Sequence, residues 1–514
     1  MRKAARRVVL VMAALVALAP SWAADCPADG AARRLGRRQR LERDAALAAA
    51  SGAPRCVLAG LALADFLDLD PGAGACAAAA RLGDADVDLP AFRAALEWRC
   101  GRPRRAHADA LAAIADDPEA ALGWLVLARV LAARFHFTAA EKAAERVVRL
   151  APTSAAGWFT LANVVADRQR RREALAAYLD VAAAEREPPE RIAGARDNLR
   201  LIEALGDRPV WVVEKRALPG ALPLEPLAGR PGHVRGWLVE IALDERRRVP
   251  ALLDSGASGL HLAPTALRRV PMETLTRGTL FGGGGSGTHA IVRGLLDRLR
   301  LGPLTFSSAL AVRSAGSLER RGAYQAIVGL DVLAAAGAGV TIDPFAGEVR
   351  LALLDGGSGA AEDPLAVDPW PAGQAGVALY RIAGQLLLEA EVETTAGDGP
   401  ALLLFDTGAS RSLIGAGLLE ERGQPFRRGS RQASAYGGRL ALAGEVPRLG
   451  LAVGDNRRRL KNVGVIDLAA RSRITGVRVC GFVGLDLLAR HVMEVDLRRG
   501  RLVLRAKAQR RPGR

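Results

Sequence analysis

Two passages of this chain echo each other, and that duplication restricts the fold more than any other feature. The first runs Gly236-Trp-Leu-Val-Glu-Ile-Ala-Leu, a basic turn, then Val249-Pro-Ala-Leu-Leu-Asp254-Ser255-Gly256-Ala257-Ser258. The second runs Gly384-Gln-Leu-Leu-Leu-Glu-Ala-Glu-Val, a Gly-containing turn, then Pro400-Ala-Leu-Leu-Leu-Phe-Asp406-Thr407-Gly408-Ala409-Ser410. Downstream, Ala326-Ile-Val-Gly329-Leu-Asp-Val-Leu matches Gly481-Phe-Val-Gly484-Leu-Asp-Leu-Leu, and each copy closes on a strand pair around Asp343 or Asp496. The offsets are 152 residues at the first landmark, 155 at the second and 153 at the third. A lone Asp-Ser/Thr-Gly is common by chance. Three landmarks in one order at nearly one offset are not, so the region holds two lobes of one kind. Short apolar runs divided by Gly, Pro and charged turns make both lobes mostly β.

Before residue 206 the pattern is Ala-rich and helical, with a period of 34 residues. Pro118 and Pro152, Trp124 and Trp158, Leu127 and Leu161, Ala128 and Ala162, and Ala140 and Ala174 all share that spacing. The matched residue types let two helices pack closely, and the pattern resembles tetratricopeptide repeats over residues 118–186. Residues 31–117 are expected to add degenerate repeats, and 191–205 a capping helix. The resemblance implies an α-solenoid with a groove for a protein partner; an ordinary helical bundle is the other reading.

The first 23 residues carry a basic start (Arg2, Lys3, Arg6, Arg7), an apolar run over 8–19 and a small-x-small Ser21-Trp22-Ala23, which reads as a secretory signal. The apolar run is too short to span a bilayer, so a mature chain without a transmembrane segment is expected in the periplasm or outside the cell. Asp25 before Cys26 argues against lipidation. Of five cysteines, Cys26, Cys56, Cys76 and Cys100 lie in the N-terminal quarter, where an exported chain can form disulfides of undetermined pairing. No C-x-x-C or H-E-x-x-H occurs, so neither a zinc or thiol-redox site nor any cofactor is expected. The net charge of +17 comes almost wholly from Arg, without Lys runs or interleaved aromatics, so a nucleic-acid partner is not expected.

Residues 230–506 resemble the aspartic peptidases of the pepsin and retroviral-protease group, through Asp254-Ser255-Gly256-Ala257, Asp406-Thr407-Gly408-Ala409 and the two Val-Gly-Leu-Asp segments. The resemblance implies a fused, two-lobed fold in which Asp254 and Asp406 form one catalytic pair within a single molecule, active as a monomer on a peptide or protein substrate. Ser255 and Thr407 would lock the two loops, Gly256 and Gly408 would permit the tight turn, and Val328-Gly329 and Val483-Gly484 would thread behind. The residue types suit that chemistry on their own account. Two carboxylates close together in a site poor in water share one proton, so one acts as base on a water while the other polarises a carbonyl. A cover over the cleft is expected at Phe281, Gly283 and Gly284 in the first lobe, 27 residues after Asp254, and at Tyr436 and Gly437 in the second, 30 after Asp406.

The expected layout is a signal peptide over 1–23, helical repeats over 24–206, a linker over 207–235, lobe 1 over 236–353, a linker over 354–375, lobe 2 over 376–506 and a basic tail over 507–514. Ser258 and Ser410 stand where retroviral enzymes carry a second acid. Asp331 and Asp486 are expected to act as local caps or solvated groups, and His261 as a satisfied local histidine. Two function classes follow: an exported aspartic endopeptidase whose repeats recruit substrate, and an inactive scaffold that uses the repeats and a degenerate protease fold for binding. Two unpartnered buried acids would be costly in a mere binding module, which favours the enzyme.

Overall fold

The structure, a computed structural model, describes residues 90–506 apart from 184–186, 188, 229–232, 282–287, 315–322, 355–362, 371–375, 396 and 436–437. The expected leader, the degenerate repeats before residue 90, the basic tail and Cys26, Cys56 and Cys76 lie outside the described residues. The chain divides into two compact units, Met1–Val126 and Leu127–Arg514.

In the first unit, α1 (Pro90–Arg99) and α2 (Pro103–Asp116) pack as a hairpin pinned by an Arg93–Asp109 ion pair. Helix α3 (Ala121–Ala133) starts in this unit, and there Trp124 Nε1 donates to the Pro118 carbonyl at 2.9 Å. The second unit continues with α4 (Phe137–Leu150), α5 (Ala155–Val164), α6 (Arg168–Ala182) and α7 (Pro189–Leu205). Helix α5 packs on both α4 and α6, and α6 on α7. Here Trp158 Nε1 donates to the Pro152 carbonyl at 2.8 Å, the same bond one 34-residue period later. Two helix starts have a side-chain cap: Ser154 Oγ accepts from Gly157 N (3.1 Å) at α5, and Asp167 Oδ1 from Arg170 N (2.8 Å) at α6. Fully buried Ala140, Ala143, Ala144 and Ala174 permit the close helix approach.

The rest of the chain is mostly β, in two lobes. Strands β1 (Val212–Arg216), β2 (Gly220–Pro223) and β3 (Glu225–Ala228) fall in the stretch read from its prolines as a linker. They instead pair into the body, β1 on Leu304–Ser307, β2 on Glu348–Leu351 and β3 on Val234–Leu238. Lobe 1 contains β4 (Val234–Leu243), β5 (Arg247–Leu253), β6 (Leu260–Leu262), β7 (Glu273–Phe281), β8 (Thr288–Leu301), β9 (Leu304–Ser314), β10 (Ala326–Val328) and the short helix α8 (Leu330–Ala334). Strands β11 (Ala338–Asp343) and β12 (Glu348–Leu353) close it. Lobe 2 contains β13 (Val377–Ile382), β14 (Gln385–Thr394), β15 (Gly397–Phe405), β16 (Leu413–Gly415), α9 (Ala416–Glu421), β17 (Arg427–Arg428), β18 (Gln432–Ala435), β19 (Gly438–Ala441), β20 (Gly444–Val453) and β21 (Asn456–Ile466). It ends with α10 (Ala469–Thr475), β22 (Gly481–Val483), α11 (Leu485–Leu488), β23 (His491–Asp496) and β24 (Arg501–Ala506).

The sequence duplication reappears as a duplicated strand order. Lobe 1 runs β9-β6-β10-β5-β4-β8 and lobe 2 runs β21-β16-β22-β15-β14, with β20 on β14. In each, the Ile-Val or Phe-Val segment (β10 or β22) lies parallel to the strand before the Asp and antiparallel to the strand after it. Strands flanked on both sides within a core need apolar residues throughout, which is why Ala251–Leu253 and Ala326–Val328 are continuously buried instead of alternating. A six-stranded sheet, β2-β12-β11-β23-β24-β13, then joins the lobes, with Val340 opposite Val495 across the junction. One apolar core passes through both lobes and this junction, including Leu253, Val328, Phe405, Val483 and Met493.

Candidate active site

Asp254 follows β5 and Asp406 follows β15, so each stands where a buried central strand runs out of its sheet. The strand behind fixes each loop: Asp254 N donates to the Val328 carbonyl (3.0 Å) and Asp406 N to the Val483 carbonyl (3.1 Å). Gly256 N donates to Asp254 Oδ1 and Ala409 N to Asp406 Oδ1, both at 2.8 Å.

The hydroxyls of Ser255 and Thr407 cross between the lobes. Thr407 Oγ1 accepts from Ser255 N and donates to the Leu253 carbonyl, each at 2.9 Å. Ser255 Oγ accepts from Thr407 N (2.9 Å) and donates to the Phe405 carbonyl (2.8 Å). Both residues are almost fully buried, so these four bonds form without competition from water. The lock brings the loops so close that a Cβ on Gly256 would stand 2.9 Å from Asp406 Cγ, and one on Gly408 would stand 2.5 Å from Asp254 Cγ. Glycine is required at both positions by the opposite carboxyl, a stricter reason than the turn geometry expected from sequence.

The two carboxyls are half-buried and interact side chain to side chain, each standing against the opposite loop's glycine. Burial raises both above the usual carboxylate range. Repulsion from Asp254 adds to burial and pushes Asp406 up to about 8. Burial and repulsion in the pair thus disfavour the doubly ionised state and favour a shared proton. Sequence reasoning missed a cation beside it: the buried Arg471 on α10 acts on Asp406 electrostatically, in the lowering direction. Its Nη1 donates to Gln385 Oε1 at 2.6 Å, and its guanidinium lies over the Phe482 ring. One arginine among 67 carries no signal by itself.

The acids after Gly-Leu brace the motif loops from behind. Asp331 accepts from Ser258 Oγ (2.7 Å) and Gly259 N (2.9 Å), and Asp486 accepts from Ser412 N (3.0 Å) and Oγ (2.6 Å). His261 is buried, with Nε2 2.9 Å from the Ser258 carbonyl. Phe281 ends β7, opposite Thr288 of β8, and β18 and β19 pair from Ala435 to Gly438, so paired strands flank each segment where a cover is expected. Gly283, Gly284, Tyr436 and Gly437 lie outside the described residues. Among the described residues, no group of three or more His, Cys, Asp or Glu is placed to hold a metal ion. Among the same residues, no helix is long and apolar enough to cross a membrane.

No protein-family model matches the chain, and no curated protein sequence matches it. Among solved structures it is similar to an aspartic proteinase from Irpex lacteus, at 13% identity and a TM-score of 0.35, covering 56% of this chain and 97% of that one. It is also similar to Basic 7S globulin from soybean, at 13% identity and a TM-score of 0.33, covering 56% of this chain and 95% of that one.

Proposed function

We propose that the protein is an exported aspartic endopeptidase that hydrolyses peptide bonds through Asp254 and Asp406, with its helical hairpins serving as tetratricopeptide-like repeats that recruit substrate or a protein partner. The observation that carries this reading is the crossed Ser255–Thr407 lock, which holds two carboxyls within hydrogen-bonding reach while burial and mutual repulsion leave them one proton. Export is supported by the basic and apolar N-terminus and by the disulfide-bonded state of Cys100, a bond that persists in oxidising compartments. Cys480, in the last third of the chain, is a free buried thiol.

The ionised carboxyl of the pair takes a proton from a water as the water oxygen bonds to the scissile carbonyl carbon. The protonated carboxyl gives its proton to the carbonyl oxygen, so the dyad again holds one proton and the intermediate is a neutral gem-diol. Collapse returns a proton from one diol hydroxyl to the dyad, while the dyad's other proton goes to the leaving nitrogen. The C–N bond breaks, an acid and an amine leave, and the pair is ready again. Which Asp starts as base is a property of the coupled pair and not of either residue.

Cleavage of a mixed peptide library between pH 3 and 8, with and without a statine-type inhibitor, tests the reading. Asp254→Asn and Asp406→Asn should each lower the rate by ~10³-fold or more, and the double variant little further, because the carboxyls act as a unit. Activity that survives both substitutions sinks the assignment, and an intact fold with no cleavage anywhere in that range leaves the scaffold reading standing.

A further inference from the structure

We propose that Asp197, on the last helix of the array, is a positioning residue for the β7–β8 hairpin, so that the helical region sets where the substrate cover stands. The inference rests on the peptidase reading above and adds a part to it. Strand β7 is the edge of its sheet, hydrogen-bonded to β8 on one side only. Edge strands carry a row of unpaired backbone groups, and something must cover or satisfy them. Here that cover is α7, which packs along β7.

Asp197 makes the contact specific. Its carboxylate is buried, and Oδ2 accepts the Thr279 N–H of the β7 edge at 3.1 Å. It sits directly over Gly278, where a Cβ would overlap the carboxylate, so the close approach requires glycine. From β8, Arg293 brings its guanidinium to the same spot, with Nη1 3.3 Å from where that Cβ would stand. Arg200 on α7 lies 3.6 Å from Asp197 Oδ1, and burial, which disfavours the Arg293 charge, is partly offset by Asp197. One carboxylate thus bonds α7 to the β7 strand of the hairpin, and the Arg293 guanidinium of β8 faces the same spot without a hydrogen bond from its Nη1. A second tie fixes the base of β7: Arg208, just past α7, donates to Glu273 at 2.6 and 2.8 Å while also holding the carbonyls of Ala204 and Leu205. Nothing local in the sequence demands a buried acid in the middle of this helix; its partner is an edge strand 82 residues away.

The test measures KM, kcat and hydrogen exchange together. Asp197→Ala should lower kcat/KM by about 10-fold, mostly through KM, because a displaced cover weakens substrate binding before it alters the dyad. Asp197→Asn keeps an acceptor for Thr279 N–H and should recover much of the loss. Gly278→Ala, which pushes on the same carboxylate from the other side, should reproduce the KM change, and the double variant should be no worse than the worse single. Amides of 273–281 should exchange faster in Asp197→Ala, with the loops 250–260 and 400–412 unchanged. Exchange that rises everywhere, with KM unmoved in the folded fraction, would reduce Asp197 to a stability residue and overturn the inference. If the wild-type chain shows no Asp254-dependent cleavage, the peptidase reading fails instead, and the exchange of β7 alone still decides whether Asp197 holds the hairpin.

Discussion

Asp254 and Asp406 are held in a way that costs the fold whenever both are ionised. Their native-state affinity for protons is raised, so the folded chain binds more protons than the unfolded one between the ordinary carboxylate value of 3.8 and about 8. Stability contributed by the pair is therefore fully present at acid pH and falls as pH rises through that window. Asp406→Asn removes a group that must stay protonated in the folded chain yet ionises freely in the unfolded one, and should stabilise the protein by on the order of 2 kcal/mol at pH 7.5, with the gain vanishing near pH 3.5. Denaturant unfolding at the two pH values checks this, and a gain of equal size at both would refute the electrostatic cause. Arg471 supplies the opposite influence. Replacing it with Gln removes a nearby cation, raises the proton affinity of the dyad further, and should move both limbs of the pH–rate profile to higher pH. A profile that keeps its position while losing height would mean Arg471 matters only through its packing on Phe482 and its bond to Gln385.

The motif loops are small elements whose shape depends on partners 150 residues away, and Thr407 is the test of that dependence. Thr407→Val keeps the volume but deprives Ser255 N and the Leu253 carbonyl of their buried partner, which should cost about 2–4 kcal/mol; Thr407→Ser should cost under ~1. Equal losses for Val and Ser, measured by chemical denaturation, would show that the methyl group and not the hydroxyl carries the effect. This level was the most legible from sequence. The Asp-Ser/Thr-Gly loops and the Val-Gly strands behind them are written as contiguous residues at a fixed offset, and duplicated spacing translates directly into duplicated strand order. The strands over 212–228 were not legible: their prolines and short lengths read as linker, and only their pairing with β9, β12 and β4 makes them sheet. Nor were Arg471 and Asp197, because a single charged residue on a helix acquires its role from a surface the local pattern does not encode.

At the scale of the whole second unit, the helices are built into the β body at both lobes, so the two parts should unfold together. Helix α7 reaches lobe 1 through Asp197 and lobe 2 through Arg191, whose Nη2 donates to the Arg473 carbonyl at 3.3 Å. The turn after α3 reaches lobe 2 through Arg134, which is buried and donates to the carbonyls of Leu379, Gly500 (2.6 Å) and Pro369 (3.1 Å) while stacking against Trp370 and Tyr380. Two of those acceptors, the Leu379 and Gly500 carbonyls, stand where β13 meets β24, and Leu379 N already bonds to Gly500 O. A buried guanidinium with several carbonyl partners is expensive to lose, because every acceptor is left without a donor. Arg134→Ala should destabilise the unit by about 3 kcal/mol, and Arg134→Lys should recover only part of it, since a point charge cannot reproduce the planar fork or the stacking. Intrinsic fluorescence sums over seven tryptophans, so its difference between matched proteins with and without Trp370→Phe follows Trp370 beside the substituted side chain, while far-UV circular dichroism follows the helices. If helix and sheet are one cooperative body, both signals shift to the same lower midpoint; two separated transitions in the variant would mean that Arg134 had coupled parts able to fold apart, and in the wild type they would refute the single body outright.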